Sequence, residues 1–164
     1  MKDPDGMRVL LVEDNEINLK LLVAYMRKLK LNHATACNGL EAVNAYKDAH
    51  EEKKHFDVIF MGKPFILSQG LGIAIGGADI LNWTDISMPI MSGIESTRHI
   101  RRFEREHGLD PVALIALTGA ANPNTRQEAF SSGVDLFLTK PVPMKSLKVM
   151  LDDLKVNGRL SMSA

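Results

Sequence analysis

Apolar residues along this chain come in short solid runs, and between the runs they recur at helical spacing. Arg8-Val-Leu-Leu-Val12 is a buried-strand pattern. Glu13-Asp-Asn-Glu16 follows, with Asp14 or Asn15 as the helix N-cap, and Ile17, Leu21, Leu22, Tyr25 and Leu29 predict an amphipathic helix over 16–29. His33 to Ala36 predicts a short strand. Asn38-Gly39 reads as a turn, and Leu40, Val43, Ala45 and Tyr46 begin a second helix that fades into Glu51-Glu-Lys-Lys54. Asp57 to Met61 predicts a third strand, Gly93 to His107 a helix with Ile94, Ile100 and Phe103 inward, and Val112 to Leu117 a fourth strand. Pro123 to Ser132 predicts a helix ended by Gly133, Asp135 to Leu138 a fifth strand, and Leu147, Met150, Leu151 and Leu154 a last helix.

Strands that are apolar throughout and alternate with helices imply an α/β fold, a parallel sheet covered on both faces. In such a sheet the functional site lies at the carboxyl ends of the strands. Strand one ends in Glu13-Asp14, strand four in Thr118-Gly119 and strand five in Lys140-Pro141, while Asp85 follows an interruption after strand three. Clustered carboxylates repel and call for a cation. An oxygen-only set suits Mg²⁺. A lysine and a threonine beside it suit the charged oxygens of a phosphoryl group.

These residues bring a family into view. Val12-Glu-Asp-Asn15, Asp85-Ile-Ser-Met-Pro-Ile-Met-Ser-Gly93, Ala116-Leu-Thr-Gly-Ala120 and Lys140-Pro141 resemble the ordered signatures of response-regulator receiver domains, in the version found in fungal-type hybrid histidine kinases. The resemblance covers about 7–155, with tails at 1–6 and 156–164. It implies a flavodoxin-like (βα)5 doubly wound sheet of strand order 2-1-3-4-5. It implies that Asp85 accepts a phosphoryl group from a histidine kinase or histidine phosphotransfer protein, and that Glu13, Asp14, Asp85 and the Ser87 backbone carbonyl hold Mg²⁺. Lys140 would pair with the phosphoryl oxygens, aimed by a cis bond to Pro141. Thr118 would move toward the phosphoryl group while Phe137 turns inward as the aromatic switch, and Gly119 would leave room. A dimer or effector contact through the last two helices is expected. So is a signalling domain that catalyses only its own phosphorylation and hydrolysis, rather than an enzyme.

Each residue also has a plainer role to weigh. Glu13 and Asp14 could cap the helix, Thr118 could be a turn residue, Lys140 a solvated lysine and Phe137 plain core. The histidines at 33, 50, 55, 99 and 107 show no ligand spacing and read as surface or satisfied residues. Cys37 has no partner motif and reads as structural.

Composition sharpens the interruption. The chain has 164 residues, 20 basic and 20 acidic, so nothing in its charge favours a nucleic-acid partner. One cysteine excludes an internal disulfide. The longest uncharged stretch, Pro64 to Ala78, is 15 residues broken by Ser68, Gln69 and glycines, so no membrane partner is expected and the expected setting is cytoplasmic or nuclear. The residues from Gly62 to Thr84 hold five of the twelve glycines, the only tryptophan and just two charges, Lys63 and Asp79. Removing these 23 residues would join Met61 directly to Asp85 and restore the family pattern, leaving 141 residues.

The genetic code allows a splice-donor-like sequence at Gly62-Lys63 and an acceptor-like one at Thr84-Asp85. A translated intron therefore stands beside a lineage-specific insertion as the origin of 62–84. Within it, Gly70-Leu-Gly-Ile-Ala-Ile-Gly-Gly77 lacks the frame of a nucleotide-binding loop. Asp79 to Asp85 is a competing candidate for strand three. Two alternatives to a phosphoacceptor remain at this level. One is a receiver-like interaction module disabled by 62–84. The other is a flavin binder of the same fold, disfavoured because the carboxylates would repel a flavin phosphate.

Overall fold

Five apolar runs form one parallel sheet in a computed structural model of the chain, which describes residues 6–62, 91–118 and 123–158. The strands are β1 (Arg8–Val12), β2 (Asn32–Ala36), β3 (Val58–Met61), β4 (Ala113–Thr118) and β5 (Leu136–Thr139), in the order β2-β1-β3-β4-β5. The helices are α1 (Glu16–Lys28), α2 (Gly39–Glu51), α3 (Gly93–His107), α4 (Pro123–Ser132) and α5 (Met144–Asn157). The expected fold class and strand order are those observed.

Side-chain alternation divides the core into two layers. Leu10, Val12, Ile59, Met61, Leu114 and Ala116 face α2 and α3, meeting Val43, Tyr46, Ile94 and Ile100. Val9, Leu11, Val58, Phe60, Ile115 and Leu117 face the other way, onto Leu22 and Met26 of α1 and Leu147, Leu151 and Leu154 of α5. Apart from Arg8 and Thr118 at their ends, the central strands are thus apolar throughout because both of their faces are covered. β2 is an edge strand, which explains its weaker run of Asn32-His-Ala-Thr-Ala36.

Element boundaries shift where side chains compete for backbone groups. The Val112 N–H donates to Glu104 Oε1 (2.8 Å), and β4 begins one residue later than expected. Asp135 precedes β5 because its carboxylate accepts from the Leu114 N–H (2.8 Å) and from Arg101 Nη2 (2.8 Å). Asn38-Gly39 is not a separate turn. Asn38 caps α2 by accepting from the Glu41 N–H (2.9 Å), and the helix starts at Gly39. On α1 the cap is Asn15, whose Oδ1 accepts from the Ile17 and Asn18 N–H groups, both at 3.0 Å. Gly133, at φ 114°, ends α4 as expected. α5 continues to Asn157, past the expected boundary at 155, and stops at Gly158 in the left-handed region.

Candidate functional site at the carboxyl edge of the sheet

Parallel pairing brings the ends of β1, β3, β4 and β5 to one edge. Val12 is in register with Met61, Met61 with Ala116, and Thr118 with Thr139. The next residues out are Glu13, Gly62 and Lys140, and these three meet. Lys140 Nζ donates to Glu13 Oε2 at 2.5 Å and to the Gly62 carbonyl at 3.1 Å. Glu13 is 2% exposed, so its charge needs this cation. Its other oxygen accepts from the Asn15 N–H at 3.2 Å. Asn15 does the capping, so Glu13 is no capping residue; it belongs to the Lys140 pair.

The Lys140 backbone N–H donates to the Thr118 carbonyl (2.6 Å), which fixes the root of the lysine beside the end of β4. The Lys140–Pro141 peptide is cis. Thr118 is buried at the end of β4, and Asp14 is exposed beside Glu13. Phe137 is buried, with its ring centre 6.1 Å from that of Phe130 and the Arg126 guanidinium 5.6 Å from its own ring centre. Asp85, Ser87, Gly119, residues 63–84 and the competing segment 79–85 lie outside the described residues. The strand between β1 and β4 is Val58–Met61.

The sequence singled out Gly62 only as the first residue of an insertion, and its place in the site was missed. Its N–H donates to the Val12 carbonyl (2.6 Å), extending the β1–β3 ladder by one bond. A side chain there would collide with the Glu13 carboxylate. The available signal was its position, directly after an apolar strand whose parallel neighbour ends in an acidic pair.

Two readings away from this edge need correction. Cys37 is exposed rather than a packed structural residue, because only its backbone N–H is engaged, on Glu41 Oε2 at 2.7 Å. His50 is neither a surface residue nor a satisfied one. It is half-buried, its ring centre lies 5.4–5.5 Å from those of His55, Phe103 and His107, and its Nδ1 is buried without a hydrogen-bond partner. These rings come from α2, α3 and the lead into β3, so no sequence spacing reveals their meeting. Among the described residues no group of three His, Cys, Asp or Glu could hold a metal ion. No helix among them is long and apolar enough to cross a membrane.

Comparison with known proteins agrees with this geometry. The response regulator receiver domain family model matches residues 79–152, beginning beyond β3. A response regulator SSK1 of Arthrobotrys oligospora is 32% identical over 84% of this chain, and the chain spans 13% of that relative's length. The receiver domain of Saccharomyces cerevisiae Ssk1, solved with the histidine phosphotransfer signaling protein Ypd1, matches with TM-score 0.70 and 29% identity, over 99% of this chain and 97% of that one. The receiver domain of the Arabidopsis thaliana histidine kinase CKI1, solved with Mg²⁺, matches with TM-score 0.64 and 26% identity, over 88% and 90%. The family model covers the second half of the fold, and the relatives and solved structures extend the likeness through the first. On these findings the chain belongs to the response-regulator receiver family.

Proposed function

We propose that this chain is the phosphoacceptor of a histidine–aspartate phosphorelay, receiving a phosphoryl group on Asp85 from a histidine phosphotransfer protein or histidine kinase. The observation that carries this is the Lys140–Glu13 pair at the carboxyl edge of the sheet. It places a primary ammonium, which can neutralise an incoming phosphoryl oxygen, beside a buried carboxylate. The likeness to a receiver solved with Ypd1 supports a phosphotransfer protein as donor.

The residues present suit Mg²⁺. Glu13 and Asp14 offer hard oxygen donors side by side, and Asp85 with the Ser87 carbonyl would complete the set. When bound, the ion neutralises the carboxylates and the phosphoryl oxygens. Asp85 supplies the attacking oxygen, Lys140 steadies the phosphoryl charge, and Thr118 donates its hydroxyl to it. Phe137 follows Thr118 and carries the change to the face of α4 and α5. That face exposes Phe130 and Val149, which suit an effector or a second copy. The domain acts on its own aspartate and turns over no separate substrate. The expected setting is cytoplasmic, without nucleic-acid or membrane partners.

We further read 7–155 as one domain whose segment 62–84 is a retained intron. Transcript sequence across codons 61–85 tests this, and transcripts that always contain the segment would remove the idea. For the main reading, Mg²⁺-dependent binding of beryllofluoride is expected. It should be lost in Asp85→Asn and weakened in Lys140→Ala. Binding unaffected by Asp85→Asn would refute the assignment.

A further inference from the structure

We propose that α4 opens from the body of the domain as a separate unit, and that Arg101 is the latch that holds it shut. This goes beyond the phosphoacceptor reading and stands apart from it, because helix and latch act in the unmodified chain.

The packing of α4 is lopsided. After its proline, the helix offers only Ala129 and Phe130 as apolar side chains. Pro123, Asn124, Arg126, Gln127 and Glu128 are all exposed. Among its described residues only Ala129 and Ser132 are buried, both toward the carboxyl end. Phe130 is 46% exposed and touches the body of the domain through the Phe137 ring, centre to centre 6.1 Å, with the Arg126 guanidinium 5.6 Å from the same ring centre. A helix with so little buried apolar area gains little from docking.

What holds α4 is concentrated at its carboxyl end. The Gly133 carbonyl accepts from Arg101 Nε (3.0 Å) and Nη2 (2.9 Å), and the same guanidinium bonds Glu104 (2.9 Å), Asp135 (2.8 Å) and the Val112 carbonyl (2.9 Å). A Cβ on residue 133 would lie 2.7 Å from Arg101 Cγ, so the arginine stem closes directly over this glycine. One largely buried cation thus ties the end of α4 to α3 and to the approaches of β4 and β5, with charge-assisted bonds. A sparsely packed helix tied at one end belongs to the low-stability part of a fold and opens without global unfolding. Opening uncovers Ala129 and Ser132, and the core layer under α1 and α5 contains no residue of α4. Phe130 moves with the helix, so the latch sets whether the apolar face of α4 and α5 is presented.

The test is native-state thiol labelling of the full chain with N-ethylmaleimide, in a Cys37→Ser background because Cys37 is the one cysteine. Probe thiols are placed by Ala129→Cys on α4 and Ala42→Cys on α2, both positions fully buried. Each rate is divided by that of the same thiol in urea-unfolded protein. The thiol at 129 should label about tenfold or more faster than that at 42, with a shallower dependence on added urea, because a sub-global opening exposes less surface. Leu22→Val, a mild loss in the opposite core layer, should speed labelling at 42 and leave 129 within about twofold. Arg101→Lys keeps a charge for Glu104 but has no planar fork to share among these acceptors, and should speed labelling at 129 about tenfold or more. If 129 labels as slowly and with the same urea slope as 42, α4 opens only with the whole fold and the proposal fails. If Arg101→Lys changes labelling at 129 by less than about twofold, Arg101 is not the latch. Cooperative urea unfolding establishes that each variant folds. Should Arg101→Lys not fold, Asp135→Asn weakens one charged arm of the latch and leaves the cation for Glu104, with faster labelling at 129 expected and an unchanged rate overturning the assignment.

Discussion

Tyr46 carries the largest displaced titration among the described residues. Burial and the adjacent Glu104 carboxylate, which accepts from its hydroxyl at 3.0 Å, hold this hydroxyl well above its ordinary range. In the unfolded chain the phenol ionises near pH 10, while the folded chain keeps its proton. The unfolded state therefore binds fewer protons above that pH, and stability falls as pH rises through it. Urea unfolding from pH 8 to 11 should show this loss, and Tyr46→Phe should flatten it while costing about 1 kcal/mol at pH 8 from the lost hydrogen bond. A steep alkaline loss surviving in Tyr46→Phe would place its origin elsewhere. Such pairings were invisible in the sequence, where Tyr46 and Glu104 are separate core and surface positions of two helices. Glu13 differs, because an acidic pair directly after a solid apolar run is itself a signal.

Between elements, Arg101 is the main tie. From α3 its guanidinium bonds Glu104 (2.9 Å), Asp135 (2.8 Å) and the Gly133 carbonyl (3.0 Å), joining the helix to the lead into β5. Its side chain is 11% exposed and that of Glu104 only 3%, so removing the cation strands a buried carboxylate. Arg101→Met should cost about 3–5 kcal/mol in denaturant unfolding. The double variant with Glu104→Gln should lose less than the two single losses added together. A cost under about 1 kcal/mol would mean the network is solvated. At this scale the sequence was most readable. Among the described residues the five strands and five helices lie where periodicity and caps put them, and the starts of β4 and β5 moved because Glu104 and Asp135 take backbone N–H groups that a ladder pattern assigns to strands.

Across the whole molecule, β3 is complete at Met61 and bonded on both sides, to β1 and to β4. The place between β1 and β4 is therefore filled without any residue of 63–84. Removing that segment should leave a cooperative urea unfolding transition and raise stability by about 1 kcal/mol, from the shorter connection between β3 and α3. A shortened chain that unfolds would show that the segment contributes packing. The sequence disclosed the seam through composition. It could not disclose what the seam places at the sheet edge, because that depends on the register between strands and not on the residues taken singly.

The Lys140–Glu13 pair spans 127 positions of the chain. Its consequence concerns the order of assembly. β1 finds β2 and β3 as soon as those strands exist, but the buried glutamate gains its cation only when β5 has docked and residue 140 has arrived. Native contacts of such separation form late and slowly. During synthesis the chemistry of this edge can thus appear only after β5 has emerged, with α5 still to follow. Any product that stops short of Lys140 leaves Glu13 without the cation that compensates its burial in the folded chain.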